Sequence, residues 1–365
     1  MSGDRSVLFV AHDIGGGRVL APVIEACEAA EYRAPIIAAG PAMGVLKNAI
    51  GAPEATIPAR KDLDRFLSSQ QPAAIVTGTS ANASLEQDAW AAARELNIPS
   101  IAIIDAAMNY SARLRRSTGK TERPDVICVV DAESRRQVET QIEFSGRIEI
   151  VGQPHLEHVR RNVDWHRHDR ARARQIVYFS EPIVAAPGER HPIGFEQFEV
   201  FGKALGGFAE TVGMSLSVKP HPNEKIEQWQ DWITHFDPPP QGSLSIVTHD
   251  ALELMRASDG VFGMCSMALV EASLAGLPTL ALQPARRYGP NPIIDESTLI
   301  MLETDPVALV ETTKRFTRDI EAGAPGAAPA NPYLGSTARV MKVITQTMTP
   351  CKADSTPGHA SGECL

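Results

Sequence analysis

The sequence predicts an α/β fold in two halves, each a parallel sheet covered by helices on both faces. Three observations carry this. Short apolar runs alternate with helical stretches in both halves of the chain. The first run, Val7 to Ala11, ends in a glycine-rich turn, His12-Asp13-Ile14-Gly15-Gly16-Gly17. The stretch Asp259 to Pro284 reads as strand, small-residue turn, helix and second strand. Such alternation builds parallel sheets, and functional groups in them gather beyond the carboxyl ends of the strands.

Val7 to Ala11 is the first strand, and the turn after it leads into a helix through about Ala30 and a strand at Ala34 to Ala39. This opens a Rossmann-like half. The glycines do not spell Gly-x-Gly-x-x-Gly and no acidic residue ends the Ala34 strand, so a nicotinamide site is not expected. Lys61-Asp62-Leu63-Asp64-Arg65 follows Pro58 and reads as a helix start, where an acidic pair suits the positive helix end. A metal-binding Asp-x-Asp would instead follow a strand. Further strands are expected at Ala73 to Thr77, Ser100 to Asp105, Val126 to Asp131 and Ile148 to Val151, with a helix from Leu85 to Asn97. The carboxyl-end rule then selects His12 and Asp13, Thr77-Gly78-Thr79-Ser80, and Asp105 with Asn109 and Tyr110. Turn or capping roles suffice for Thr79 and Ser80. His12 and Asp13 are two titratable groups on a strand-end turn, the pattern expected of acid and base chemistry.

After Val151 the chain turns polar through Arg174, and this stretch is read as the domain junction. His155, His158, His166 and His168 lie in it among arginines, with no carboxylate partner fixed by the spacing. A solvated helix and linker is expected there, and no metal site.

The second half opens with a strand at Gln175 to Ser180, then Glu181-Pro182-Ile183 and a helix from Phe195 to Val212. A strand at Ser215 to Val218 runs into Lys219-Pro220-His221-Pro222. Two prolines stiffen that loop and hold an ammonium and an imidazole in fixed directions, as recognition of a leaving phosphate requires. Ser245 to Thr248 reads as a strand and Leu252 to Ser258 as a short helix. Next come Val261 and Phe262, a tight turn from Gly263 to Ser266, and a helix opening at Met267 with Ser266 as its N-cap. Gly276 suits the left-handed position after the helix, and Pro278 leads into a strand at Thr279 to Leu282. Unpaired N–H groups at such a helix start bind an anion such as a diphosphate. Glu271 shares a helix stripe with Ala268 and Ala275 and is expected to border a cleft. After an Ala-, Pro- and Gly-rich segment, Gly323 to Pro332, a last helix runs from Ser336 to Met348, and the tail from Thr349 is expected to be disordered.

A Glu five residues before Gly276-Leu277-Pro278, on a helix opened by a small-residue turn, resembles the nucleotide-binding segment of GT-B glycosyltransferases and of the related UDP-N-acetylglucosamine 2-epimerases. Lys219-Pro-His221-Pro resembles the motif of CDP-glycerol glycerophosphotransferases and bacterial sialyl- and polysialyltransferases, and it precedes the Gly263 turn in the order those families use. His12-Asp13-Ile-Gly-Gly loosely resembles the opening turn of many GT-B proteins. The chain departs from the families in carrying Met264 and Cys265 in the second turn. The resemblance implies two Rossmann-like domains with parallel sheets facing a cleft. Residues 1–165 would hold the acceptor and residues 172–332 the nucleotide donor. Residues 333–348 would cross back to the first domain, and 349–365 would form the tail. It further implies that Glu271 binds the ribose, and that Lys219, His221, Cys265, Ser266 and Met267 meet the donor phosphates.

Composition bounds the function. The chain has 365 residues, 43% hydrophobic and 22% charged, enough for two globular cores. A net charge of −9 argues against nucleic acid as a partner. Five scattered cysteines, Cys27, Cys128, Cys265, Cys351 and Cys364, suit a reducing compartment better than a disulfide framework or a zinc site. No apolar run has signal-peptide or transmembrane character, so a cytoplasmic protein is expected, with peripheral membrane contact left open. The expected activity is metal-independent transfer of a sugar from a nucleotide-sugar donor to an acceptor hydroxyl, in bacterial surface polysaccharide or glycoconjugate synthesis, with no cofactor. His12 or Asp13 is the expected base, with Asp105 behind. The alternatives are a nucleotide-sugar hydrolase or 2-epimerase, a glycerophosphotransferase, or a non-catalytic subunit that keeps the fold. Base, sugar, acceptor, stereochemical outcome and oligomeric state stay open.

Overall fold

The computed structural model describes residues 6–51, 60–81, 83–106, 110–114, 122–162, 174–183, 196–208, 214–235, 243–284, 301–303, 305–323 and 331–349. Asn109, His166, His168 and the tail beyond Thr349 lie outside them. The chain divides into two compact units, Met1–Pro154 with Gly335–Leu365, and His155–Leu334. The division falls at His155, ahead of the expected boundary at residue 165.

The first unit opens with β1 (Val7–Ala11), α1 (Ile14–Ala29), β2 (Ile36–Ala38), α2 (Gly40–Ile50) and α3 (Arg60–Gln70). It continues with β3 (Ala74–Thr77), α4 (Leu85–Glu95), β4 (Ser100–Ile103), α5 (Tyr110–Leu114), β5 (Val126–Val129), α6 (Ala132–Gln141) and β6 (Arg147–Ile150). The second unit begins with α7 (Pro154–Asn162), β7 (Arg174–Phe179), α8 (Gln197–Phe208), β8 (Met214–Lys219), α9 (Ile226–His235) and β9 (Ser243–Ile246). It closes with α10 (Ala251–Ala257), β10 (Gly260–Gly263), α11 (Met267–Ala275), β11 (Thr279–Leu282), β12 (Met301–Glu303) and α12 (Leu309–Glu321). Helix α13 (Ser336–Met348) then returns to the first unit.

The first sheet has the order β2-β1-β3-β4-β5-β6, all parallel. Side chains alternate across a strand, so β1 feeds two cores. Val7, Phe9 and Ala11 pack with α1 and with Val340, Val343 and Ile344 of α13. Leu8 and Val10 face the other way, onto Leu63 and Leu67 of α3 and Ala89, Ala92 and Ala93 of α4. The Asp62-Leu-Asp64 segment is therefore helix, with Leu63 anchoring it. Tyr110, a candidate site residue by position, is buried in a third cluster with Trp90 and Val138. At the end of the unit, Arg339 Nε donates to Val151 O at 2.9 Å, and a Cβ on Gly152 (φ +80°) would stand 2.2 Å from Ser336 Oγ. The start of α13 thus lies against the chain leaving β6.

The second sheet has the order β12-β11-β10-β7-β8-β9, also all parallel. One face carries an aromatic core in which Tyr178, Phe201 and Phe262 stack or tilt against one another and Trp229 meets Tyr178 and Phe201 edge to face, at 4.6–6.0 Å between ring centroids. Ser266 Oγ accepts the Ala268 N–H at 3.2 Å and Gly276 ends α11 at φ +89°, the cap residues expected from the sequence. Every residue of α11 from Ala268 to Leu274 is buried, Glu271 among them.

Candidate functional site

In the second sheet the strand order reverses between β7 and β10, so the loops after β7, β8 and β10 flank the switch point where α/β sheets place ligands. The β8 strand delivers Lys219-Pro-His221-Pro to that edge, and hydrogen bonds fix it there. His221 N–H donates to Ser180 Oγ at 3.0 Å and to Glu224 Oε2 at 2.7 Å. Glu224 ties four elements together. Its Oε2 also accepts from Ser180 Oγ, and its Oε1 accepts from Gln197 Nε2 of α8 and from Trp229 Nε1–H of α9, the latter at 3.3 Å.

The His221 ring is fixed as well. Its Nδ1 accepts the Asn223 N–H at 3.1 Å, so the ring proton of the neutral form sits on Nε2 and points away as a donor. Burial lowers the His221 pKa, the Lys219 charge lowers it further, and Glu224 opposes both. Lys219 is also lowered by burial, against the pull of Asp250, and its Nζ reaches Thr248 O at 3.4 Å. The loop therefore presents one ammonium and one neutral N–H donor.

Across the switch point, Cys265 N–H donates to Glu181 Oε2 at 2.6 Å. Burial pushes the Glu181 carboxyl up to about 7, and Glu224 pushes the same way against the Cys265 hydrogen bond. Of the five residues expected to meet phosphate, three lie here: Ser266 caps α11, Met267 begins it, and the Cys265 amide holds a carboxylate of the chain itself. Glu181 and Glu224 were not among the candidates.

Glu271, expected at a cleft edge, is instead 1% exposed, and its Oε1 lies 3.2 Å from Nε2 of His155, itself 8% exposed. The reading of His155 as part of a solvated linker is corrected accordingly. Leu156 and Val159 are buried, so α7 packs into the second unit and turns His155 inward with them.

The first unit gathers a different set. Here the strand order reverses at β1, and the carboxyl ends of β1, β3 and β4 carry the groups. His12 Nδ1 and Asp13 Oδ1 are 2.8 Å apart; an ionised Asp13 accepts from Nδ1–H and leaves Nε2 as the basic nitrogen. Asp105 Oδ1 pairs with Arg113 at 2.6 Å, and the same guanidinium donates to Thr79 Oγ1 at 2.9 Å. A Cβ on Gly15 would stand 1.9 Å from Asp105 Oδ2, which places that carboxylate against the first turn of α1. A Cβ on Gly78 would meet Gly16 Cα at 2.5 Å, so the loop after β3 crosses α1 backbone to backbone. The structure thus brings His12, Asp13, Thr79, Ser80 and Asp105 to one edge.

Glu86, on the first turn of α4, joins them unforeseen. It is 1% exposed, and its Oε1 accepts from His12 N–H at 2.9 Å and from Ser80 Oγ at 2.8 Å. Burial raises its pKa, and Asp13 adds to the rise against those two hydrogen bonds. The Ser-x-x-x-x-x-Glu spacing gives no signal of this, since a Glu near a helix N-terminus is ordinarily solvated. Cys27 and Cys128 are buried free thiols pushed up to about 12 by burial, which makes them inert core residues. Among the described residues no cluster of His, Cys, Asp or Glu could hold a metal ion, and no helix is long and apolar enough to cross a membrane.

No protein-family model and no curated protein sequence matches the chain. Solved structures do. A putative UDP-N-acetylglucosamine 2-epimerase from Listeria monocytogenes superposes with a TM-score of 0.66 at 14% identity, over 94% of this chain and 96% of that one. The UDP-GlcNAc 2-epimerase of Neisseria meningitidis, bound to UDP-GlcNAc, gives 0.65 at 13% identity over 93% and 100%. A glycosyltransferase from Rickettsia africae gives 0.60 at 12% identity over 95% and 100%. With two parallel α/β sheets, and with these likenesses over nearly its whole length, the chain has the GT-B fold.

Proposed function

We propose that the chain is a nucleotide-sugar enzyme that transfers a sugar from its donor to an acceptor hydroxyl. The observation that carries this reading is the edge of the second sheet. There Lys219, the His221 Nε2–H and the N-terminus of α11 stand at one switch point of a fold whose solved relatives include a protein bound to UDP-GlcNAc. Cleavage of a donor builds negative charge on the leaving phosphate. An ammonium, a neutral N–H donor and a helix start would offset it without the cost of reorganising water. Glu271, buried beside His155, would bind the ribose hydroxyls only once ligand binding uncovers its carboxylate. In the first unit, His12 oriented by Asp13 would take the proton from the attacking hydroxyl, and Asp105 would stand behind it.

A second reading has support of its own. The first-unit edge holds three carboxylates, of Asp13, Glu86 and Asp105, in unlike surroundings, as acid and base work on the sugar itself requires. Two of the three relatives named above are described as 2-epimerases. The two readings part in one experiment. The protein is incubated with UDP-GlcNAc and other nucleotide sugars, first without and then with candidate acceptors, and products are followed by NMR. Sugar transfer only with an acceptor supports transfer. Isomerisation or release of the nucleotide without one favours the second reading. No turnover and no nucleotide binding overturns both.

A further inference from the structure

The loop before α11 already holds a carboxyl group, and that group belongs to the chain. Glu181 follows β7 at the switch point, and its Oε2 takes the Cys265 N–H at 2.6 Å. This is an amide of the turn that leads into α11, the region where a helix start attracts an oxyanion. Glu181 is held for that contact, since its own N–H donates to Gln197 Oε1 at 3.2 Å, while Pro182 follows it. Gln197 in turn donates to Glu224, so the backbone of Glu181 is tied to the network that fixes the His221 loop.

We propose that Glu181 is a built-in competitor of the donor phosphate: its carboxylate and a phosphate oxygen are mutually exclusive partners of the Cys265 amide, and neutralising Glu181 opens the site to the ligand. The inference rests on the nucleotide-sugar reading and adds to it a residue that sets when the donor binds. A carboxylate and a phosphate at one amide would repel each other at hydrogen-bond distance, so one leaves or takes a proton. Among the described residues, the titratable groups facing Glu181 are Tyr178 on the preceding strand, Glu224 from the loop after β8 and Cys265 from the loop after β10, and α8 contributes the uncharged Gln197. Lys219 and His221 stand at the end of the adjacent β8. Among the described residues, none of the groups that face it is a cation to hold Glu181 ionised. Burial and Glu224 bring its titration to about 7, within the range where proteins work.

The test uses the full chain and UDP, with GDP and CDP in parallel, by isothermal titration calorimetry from pH 6 to pH 8. A single carboxyl titrating near 7 that must be neutral for binding weakens the apparent Kd about 10-fold over that range. The wild-type protein is expected to show this slope and to take up protons on binding, read from buffers of different ionisation heat. Glu181→Gln is expected to bind more tightly at pH 8 and to lose the slope and the uptake. The proton uptake of the wild type needs no variant, so the inference stays testable if Glu181→Gln fails to fold. Equal affinities and equal pH profiles in the two proteins, or binding without proton uptake, overturn the inference and leave the nucleotide reading standing. Folded protein that binds no nucleoside diphosphate at pH 6, in either form, overturns the nucleotide reading and the inference together.

Discussion

Removing the Glu224 carboxylate is expected to loosen the His221 loop and the aromatic core beside it. Four donors converge on this one group, from Ser180, Gln197, Trp229 and the His221 backbone, and the first three belong to buried residues. A hydrogen bond to a charged group contributes about 1.5–3 kcal/mol, and a buried donor left without a partner costs about 1–3 kcal/mol. Losses within one network do not add, and water enters the space that Ala vacates, so Glu224→Ala should cost about 3 kcal/mol. With a urea dependence of about 2 kcal/mol/M, the midpoint would fall by about 1.5 M. Trp229 donates to Glu224 directly and packs on Tyr178 and Phe201, so tryptophan fluorescence reports the transition where the change is made. Glu224→Gln keeps the shape but turns an NH2 toward donors, and its midpoint should fall between the two. A Glu224→Ala midpoint level with the parent would refute the reasoning, because the four contacts would then carry no net energy.

Further outcomes are expected elsewhere. Glu271→Ala should weaken nucleotide binding about 30-fold, the loss of one charged hydrogen bond of about 2 kcal/mol, as read by calorimetry. His12→Gln should leave nucleotide affinity unchanged while turnover falls at least about 100-fold, the usual contribution of a general base; full turnover would remove His12 from that role. Glu86 has a raised pKa in the folded protein, so the folded state keeps a proton that the unfolded chain has released. The stability it confers is therefore present at low pH and lost as pH rises above about 4.5, and urea midpoints of Glu86→Gln should fall less steeply with pH than those of the parent. Gly78→Ala drives a methyl to within 2.5 Å of Gly16 Cα, where only backbone could yield, and should destabilise by about 1–3 kcal/mol in thermal melts.

Much of this architecture was legible because local chemistry and tertiary structure agree. Ser266 and Gly276 fix the ends of α11 by capping, which acts over a few residues and can be read from them. The Lys219-Pro-His221-Pro loop was legible for the same reason, since proline stiffness is a property of the residue. Burial of a carboxylate is not. Glu86 is drawn in by the backbone of His12, 74 residues away, and Glu181 by that of Cys265, 84 residues away. His155 was read as solvated because its neighbours are charged, yet the apolar Leu156 and Val159 decide where α7 lies. The stripe that Glu271 shares with Ala268 says nothing of its burial, because a helix buried from Ala268 to Leu274 has no polar face to declare which residue borders a ligand.

The first unit is discontinuous in sequence, and its closing piece arrives last. Val340, Val343 and Ile344 complete the core that β1 and α1 begin, and the chain comes back to Ser336 beside Gly152, next to where it departed. During synthesis, the ribosome emits everything from His155 to Leu334 before those three side chains exist. The amino-terminal sheet must wait for them with part of the face under α1 uncovered, while the inserted unit, contiguous in sequence, can fold as it emerges. The order in which the two units can be completed thus runs opposite to the order in which they begin: the part that starts first is finished second.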